Sequence, residues 1–251
     1  MNLLILGGTT EATTIGRALA GDTRFAAEIS LAGRTRTPLP QPLPTRIGGF
    51  GGAEGLSRHL VERRIDALID ATLPFAARMT ANAVAAARAT GTHLLVVLRP
   101  AWQPRVGDRW AMVADMAEAA EALGTAPRRV LLTVGQKDLT PFAGAPHHFV
   151  LRSVDPPPPE VLPADVEVIA ARGPFSEADE LRLLADRRID VIVTKNSGGS
   201  ATAAKLAAAR KRGLPVVMVQ RPPAPQVETV AGAGEVLQWL ERLHAGMLRG
   251  E

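Results

Sequence analysis

The tetrapeptide Arg-Arg-Ile-Asp occurs at 63–66 and again, 124 residues later, at 187–190. Arg99-Pro100 returns as Arg221-Pro222 after 122 residues. Phe50, just after Gly49, returns as Phe175, just after Gly173-Pro174, at a shift of 125. Near-constant offsets kept in order mark an internal repeat. The 251 residues are enough for two domains of about 125 each. Within each half, short apolar runs alternate with helical patterns. The first half reads as strands at 2–6, 26–32, 46–47, 65–71, 94–98 and 110–113, with helices opening at Glu11, at 53–64, at 77–90 and after Asp115. The second reads as strands at 129–134, 149–154, 166–170, 189–193 and 215–219, with helices at 176–187, 200–212 and 234–247. This alternation predicts an α/β protein of two doubly wound parallel-sheet domains. The division is expected at 1–125 and 126–251, with Gly-Thr-Ala-Pro at 124–127 as the hinge.

In open parallel sheets, ligands sit beyond the carboxyl ends of the strands. The first such end is Gly7-Gly8-Thr9, which stops an apolar strand and leads into a helix at Glu11. Glycines let the backbone approach a ligand closely, and a helix N-terminus offers free N–H groups to a phosphate. The third glycine of the full dinucleotide fingerprint is missing. The second strand ends at Gly33-Arg34-Thr35-Arg36 with no acidic residue to accept from a ribose 2′-hydroxyl. Arg34 and Thr35 suit a 2′-phosphate instead, which argues for NADPH; an exposed basic loop is the competing reading. Gly49 and Thr72, Pro74 and Phe75 lie at further strand ends of the same half and complete the expected cofactor set with Gly7, Gly8, Thr9 and Glu11.

The second half lacks the double-glycine turn at its first strand. Its strand ends collect Lys137, then Lys195, Asn196, Ser197, Gly198 and Gly199, then Arg221. Charge-assisted bonds and a helix beginning at Ser200 predict a site for an anionic molecule, above all a carboxylate. A helix cap with a solvated lysine is the alternative for 194–199.

Composition removes several chemistries. There is no cysteine, so disulfides, thiolate nucleophiles and zinc-thiolate sites are excluded. There is no tyrosine, so the Tyr-x-x-x-Lys acid of short-chain dehydrogenases is absent. No P-loop and no Gly-x-Ser-x-Gly elbow occurs. The histidines, at 59, 93, 147, 148 and 244, have no metal-ligand spacing, and His147-His148 reads as a loop. Asp66 and Asp70 flank a strand and read as structural. The net charge of +4 comes from scattered arginines with few aromatics, which argues against nucleic acid. No apolar run reaches the ~18 residues of a membrane span. The N-terminus lacks the basic region and cleavage site of a signal peptide, so a cytoplasmic location is expected. A monomer satisfies the sequence, which leaves the oligomeric state open.

Four stretches resemble one family. They are Leu-Leu-Ile-Leu-Gly-Gly-Thr-Thr-Glu-Ala at 3–12, Ile-Asp-Ala-Thr-Leu-Pro-Phe-Ala at 69–76, Arg-Pro-Ala-Trp at 99–102 and Thr-Lys-Asn-Ser-Gly-Gly at 194–199. In this order they are similar to the precorrin-6A reductases of cobalamin biosynthesis. The resemblance implies two Rossmann-like domains with a tetrapyrrole between them, and NADPH-dependent reduction of a macrocycle double bond of precorrin-6A or its cobalt complex. One departure is Leu73, where many members carry His. The substrate of that family carries many carboxylates, which suits the Lys and Arg of the second half. A conjugated acceptor delocalises developing charge, so no catalytic acid is assigned. Two other readings stay open: an NADPH-dependent reductase of another acidic small molecule, and a dinucleotide-sensing protein without catalysis.

Overall fold

In the computed structural model, which describes residues 1–33 and 35–249, the alternation becomes two parallel sheets flanked by helices. The first half runs β1 (Asn2–Leu6), α1 (Thr10–Leu19), β2 (Ala26–Leu31), β3 (Thr45–Ile47), α2 (Ala53–Glu62), β4 (Ala67–Asp70), α3 (Ala77–Thr90), β5 (His93–Val97), β6 (Arg109–Val113) and α4 (Met116–Ala122). The second runs β7 (Arg129–Thr133), β8 (His148–Ser153), β9 (Val166–Ala170), α5 (Glu177–Asp186), β10 (Val191–Lys195), α6 (Ala204–Arg212), β11 (Pro215–Val219), β12 (Thr229–Val230) and α7 (Ala233–Arg249).

One sheet has the order β12-β5-β4-β1-β2-β3 and the other β6-β11-β10-β7-β8-β9. All neighbours are parallel. The orders coincide when β1 to β5 are matched with β7 to β11, and β12 with β6. The sixth strand of each sheet is therefore exchanged. β6 follows β5 in the chain but pairs with β11, and β12 follows β11 but pairs with β5.

This corrects the expected division at 125/126. The compact units are residues 1–100 with 222–251, and residues 101–221. The chain changes unit at the two Arg-Pro repeats. Trp110 of β6 packs into the second core, while Val236, Trp239 and Leu240 of α7 are buried in the first. Edge pairing and burial place these segments, and neighbours along the chain do not.

β1 is buried on both faces with the two-residue period of a strand. Leu3 and Ile5 pack with Ile15 and Leu19 of α1 and with α7. Leu4 and Leu6 pack with Leu56 and Leu60 of α2 and Ala83 and Ala86 of α3. In the second unit, Leu131, Val150, Ile192 and Met218 meet Leu184 of α5 and Leu206 and Ala209 of α6.

Three local differences bear on function. The first crossover of the second unit is two 3-10 turns, Gln136–Asp138 and Thr140–Phe142, where the first unit has α1. Pro141, Gly144 and Pro146 in that stretch oppose a longer helix. Next, α6 begins at Ala204, four residues later than expected, because Gly198 and Gly199 both turn left-handed (φ 67° and 78°) and a turn intervenes. Finally, His147 is buried in the bend before β8 and His148 opens β8, so the expected loop holds for His147 and not for His148. No helix among the described residues is long and apolar enough to cross a membrane.

Candidate active site

The carboxyl edge of the first sheet is tied together by side chains from three strand ends. Gly8 has φ 107°, and a Cβ built on it would meet nothing within 4 Å, so the turn after β1 is open on its outer side. Thr9 caps α1: its Oγ accepts from the Ala12 N–H at 3.2 Å and donates to the Ala71 carbonyl, beyond β4, at 2.6 Å. Glu11, in the first turn of α1, pairs with Arg99, beyond β5, at 3.0 Å. Burial acts to raise the Glu11 carboxyl, but its own backbone N–H and the Arg99 guanidinium outweigh this and hold it below the usual carboxylate range. Thr72 is locked to the buried Asp70 carboxylate by its N–H at 3.0 Å and its hydroxyl at 2.7 Å, and Thr80 donates to the same carboxylate at 2.6 Å. Phe75 is half-buried after Pro74 in the turn before α3, and Leu73 is 46% exposed in the same loop. Gly49 lies beyond β3, where Arg46 donates to Ser30 Oγ and the Gly48 carbonyl at 2.9 Å, and to the Gly49 carbonyl at 3.2 Å. The Arg46 guanidinium also stacks 4.0 Å from the Phe50 ring centroid. Arg34 lies outside the described residues; its neighbour Thr35 is half-buried.

The second sheet carries a different edge. Lys195, at the end of β10, pairs with Asp138 at 2.7 Å, so its charge is already partly met. Lys137, next to Asp138, is exposed and is not drawn into the cluster. Asn196 is buried, and both ends of its amide are used: Oδ1 accepts from the Trp102 N–H at 2.8 Å and Nδ2 donates to the Trp102 carbonyl at 3.1 Å. Arg221 donates from Nε to the Asn196 carbonyl at 2.6 Å and from Nη2 to the Ser197 carbonyl at 2.9 Å. The Trp102 indole N–H donates to the Gly199 carbonyl at 2.8 Å. Behind it, the buried Lys205 donates to the Thr202 carbonyl at 2.8 Å and stands 4.7 Å from the Trp102 ring centroid. Burial, with the nearby Arg152 charge and against that of Glu180, pushes the Lys205 ammonium down to about 7.

The expected residues that the structure describes, Lys137 apart, therefore form two groups, one on each sheet edge. Sequence reading places Arg99 and Asp138 at strand ends but assigns neither a role, and it does not bring Arg46, Trp102 or Lys205 to these edges. Trp102 and Arg99 stand in the Arg-Pro-Ala-Trp motif; Arg46 meets Ser30, and Lys205 the Trp102 ring, through packing that no neighbouring residue signals.

Two doubly wound parallel sheets, one opening on a glycine turn into a capped helix, define a Rossmann-type α/β protein. The chain belongs to the precorrin-6x reductase family: the family described as Precorrin-6x reductase CbiJ/CobK matches residues 2–241. A precorrin-6A reductase of Sinorhizobium sp is 53% identical over 236 residues, covering 94% of this chain and 90% of the relative. That of Rhodobacter capsulatus is 48% identical over 239 residues, 95% of each chain. A solved structure described as CobK precorrin-6A reductase has a TM-score of 0.92 at 47% identity and covers 97% of both chains.

Proposed function

We propose that this chain reduces a double bond in the macrocycle of precorrin-6A to the dihydro product, with NADPH held on the first unit and the substrate carboxylates on the second. The reaction comes from membership of the family and from the names of relatives at 48% and 53% identity, which refer to the metal-free ring. The observation that carries the assignment of edges is the contrast after the two central strands. After β1 the chain enters the open Gly8 turn and the ten-residue helix α1; after β7 it enters only two 3-10 turns. Only the first arrangement presents a full helix N-terminus to a pyrophosphate.

Bound there, the reduced nicotinamide would supply a hydride to a ring carbon, and a proton taken up from the medium would complete the dihydro product. The residues of this chain bind and orient. Gly7, Gly8 and Thr9 present the turn, and Arg99 offsets the Glu11 carboxylate that would otherwise repel the pyrophosphate. Thr72, Pro74, Phe75 and Gly49 flank the same edge, and Arg34 with Thr35 takes the 2′-phosphate. On the second unit, Lys137, Lys195, Ser197 and the Gly198-Gly199 backbone face substrate carboxylates, while Asn196 and Arg221 shape the loop that carries them. Positioning and exclusion of water supply the rate enhancement, with no side chain assigned as acid.

The test is oxidation of NADPH by the purified chain with precorrin-6A and with its cobalt complex. Turnover that needs the metal-free ring supports the proposal. Turnover only with the cobalt complex overturns the substrate, and cofactor binding without any turnover favours the dinucleotide-sensing reading.

A further inference from the structure

We propose that Trp102 is a positioning residue: it holds the loop between β10 and α6 so that the N–H groups of Gly198, which is buried, and of Gly199, which is half-buried, are kept free for an anionic group of the substrate. The proposal rests on the substrate assignment just given. A loop offers backbone N–H groups to a carboxylate best when its carbonyls, which would repel the anion, are engaged elsewhere. Here the Asn196 and Ser197 carbonyls accept from Arg221, and the Gly199 carbonyl accepts from the Trp102 indole. The Trp102 backbone is itself clamped by the Asn196 amide on both sides. Among the described residues, the Gly198 and Gly199 N–H groups carry no hydrogen bond. Both glycines hold a positive φ, which glycine adopts at no steric cost and which keeps this stretch out of α6, so neither N–H enters the helix's own hydrogen-bond ladder. Lys205 completes the device, since one ammonium grips both the Trp102 ring and the Thr202 carbonyl in the turn before α6. An indole is needed at 102 because the strut requires a ring to cover Lys205 and an N–H to reach Gly199.

Trp102→Phe keeps an aromatic ring and the backbone bonds to Asn196, and removes the indole N–H together with the five-membered ring that carries it. Loss of one hydrogen bond to a loop that binds substrate is expected to raise KM for precorrin-6A about threefold to tenfold, with kcat and the NADPH dissociation constant each within about twofold. Amide hydrogen exchange at 198–203 should accelerate, which a role confined to the core would not produce. Should the Phe variant fail to fold, Lys205→Met carries the same test, because it removes the cation and leaves the indole bond; the same direction at smaller size is expected. Unchanged KM together with unchanged exchange would overturn the proposal. Faster exchange with a weakened NADPH constant and unchanged KM would uphold the strut and overturn the assignment of this loop to substrate.

Discussion

Arg64 and Arg188 adopt the same left-handed backbone, φ 50° and 49°, at corresponding places in the two repeats. Each closes a helix. Arg64 donates its N–H to the Val61 carbonyl and Ile65 donates to Leu60; Arg188 donates to Ala185 and Ile189 to Leu184. The following acid then latches the central strand: Asp66 accepts from the Asn2 N–H at 2.7 Å, and Asp190 from the Arg129 N–H at 2.8 Å. Arg-Arg-Ile-Asp is thus a complete joint between helix and strand. A left-handed L-residue costs roughly 1–2 kcal/mol, and glycine gives back about 0.4–1 kcal/mol of that in unfolded-chain entropy. Arg64→Gly and Arg188→Gly should each stabilise the protein by about 0.5 kcal/mol, with additive effects in the double variant. Urea denaturation checks this; a loss of stability would show that these exposed side chains contribute more than their backbone costs.

Two glycines of the first unit should respond oppositely. Gly8→Ala meets no neighbour, so it should cost only the backbone strain of roughly 1–2 kcal/mol while placing a methyl in the proposed pyrophosphate site. NADPH binding should fail in a protein that still melts cooperatively. Gly55 lies in α2, and a Cβ there would sit 1.6 Å from the Phe50 carbonyl oxygen, a backbone atom that yields little. Gly55→Ala should destabilise by about 3 kcal/mol or more. Thermal melts and cofactor titrations of the two variants separate the cases.

Much of the fold was legible because its signals are local. The helix at 77–90 has its expected bounds, stopped by Gly91 in a left-handed C-cap, and the apolar runs became strands. Asp115 and Ser176, where the sequence pattern opens two helices, are the N-caps of α4 and α5. The strand exchange was not legible. β6 and β12 are short edge strands, and the sheet each joins depends on backbone pairing and on burial of Trp110 and α7, not on any pattern within five residues. The site was legible as strand ends but not as a bonding scheme. Asn196 spends its amide on Trp102, 94 residues away, and Lys195 meets Asp138 across 57 residues.

Arg34 and Arg46 should separate phosphate recognition from loop support. On the proposed assignment of Arg34 to the 2′-phosphate, Arg34→Ala should weaken NADPH by roughly 1.5–3 kcal/mol while leaving NADH nearly unchanged. Arg46 is committed to Ser30, Gly48, Gly49 and the Phe50 ring, so Arg46→Ala should loosen the glycine loop and weaken both cofactors alike. Titrations with NADPH and NADH decide. Selectivity lost in the Arg46 variant and kept in the Arg34 variant would exchange their roles.

The Glu11–Arg99 pair predicts a loss of stability in acid. The folded Glu11 carboxyl lies below its ordinary value of 4.5, so the pair's contribution is present above 4.5 and fades as pH falls through the lower folded value. Glu11→Gln should flatten that part of the stability profile and leave Arg99 without its carboxylate. Denaturant unfolding of both proteins across the acid range measures it; parallel profiles would count against the pair.

Lys205 predicts the opposite end of the pH scale. Burial lowers its folded value from 10.5 to about 7, with the Arg152 charge adding to the effect and Glu180 opposing it. Below 7 both folded and unfolded chains hold the proton, and the full cost of burying the ammonium is present. Between 7 and 10.5 the folded chain has released the proton and the unfolded chain keeps it, so this residue's contribution to stability rises with pH across that window. Lys205→Met carries no charge at any pH. The unfolding free energy of the native chain should therefore gain on that of Lys205→Met as pH rises from about 7 to about 10. A difference that stays constant across the window would mean that the ammonium remains charged over the Trp102 ring, with the cation–π contact and the Thr202 carbonyl compensating its burial.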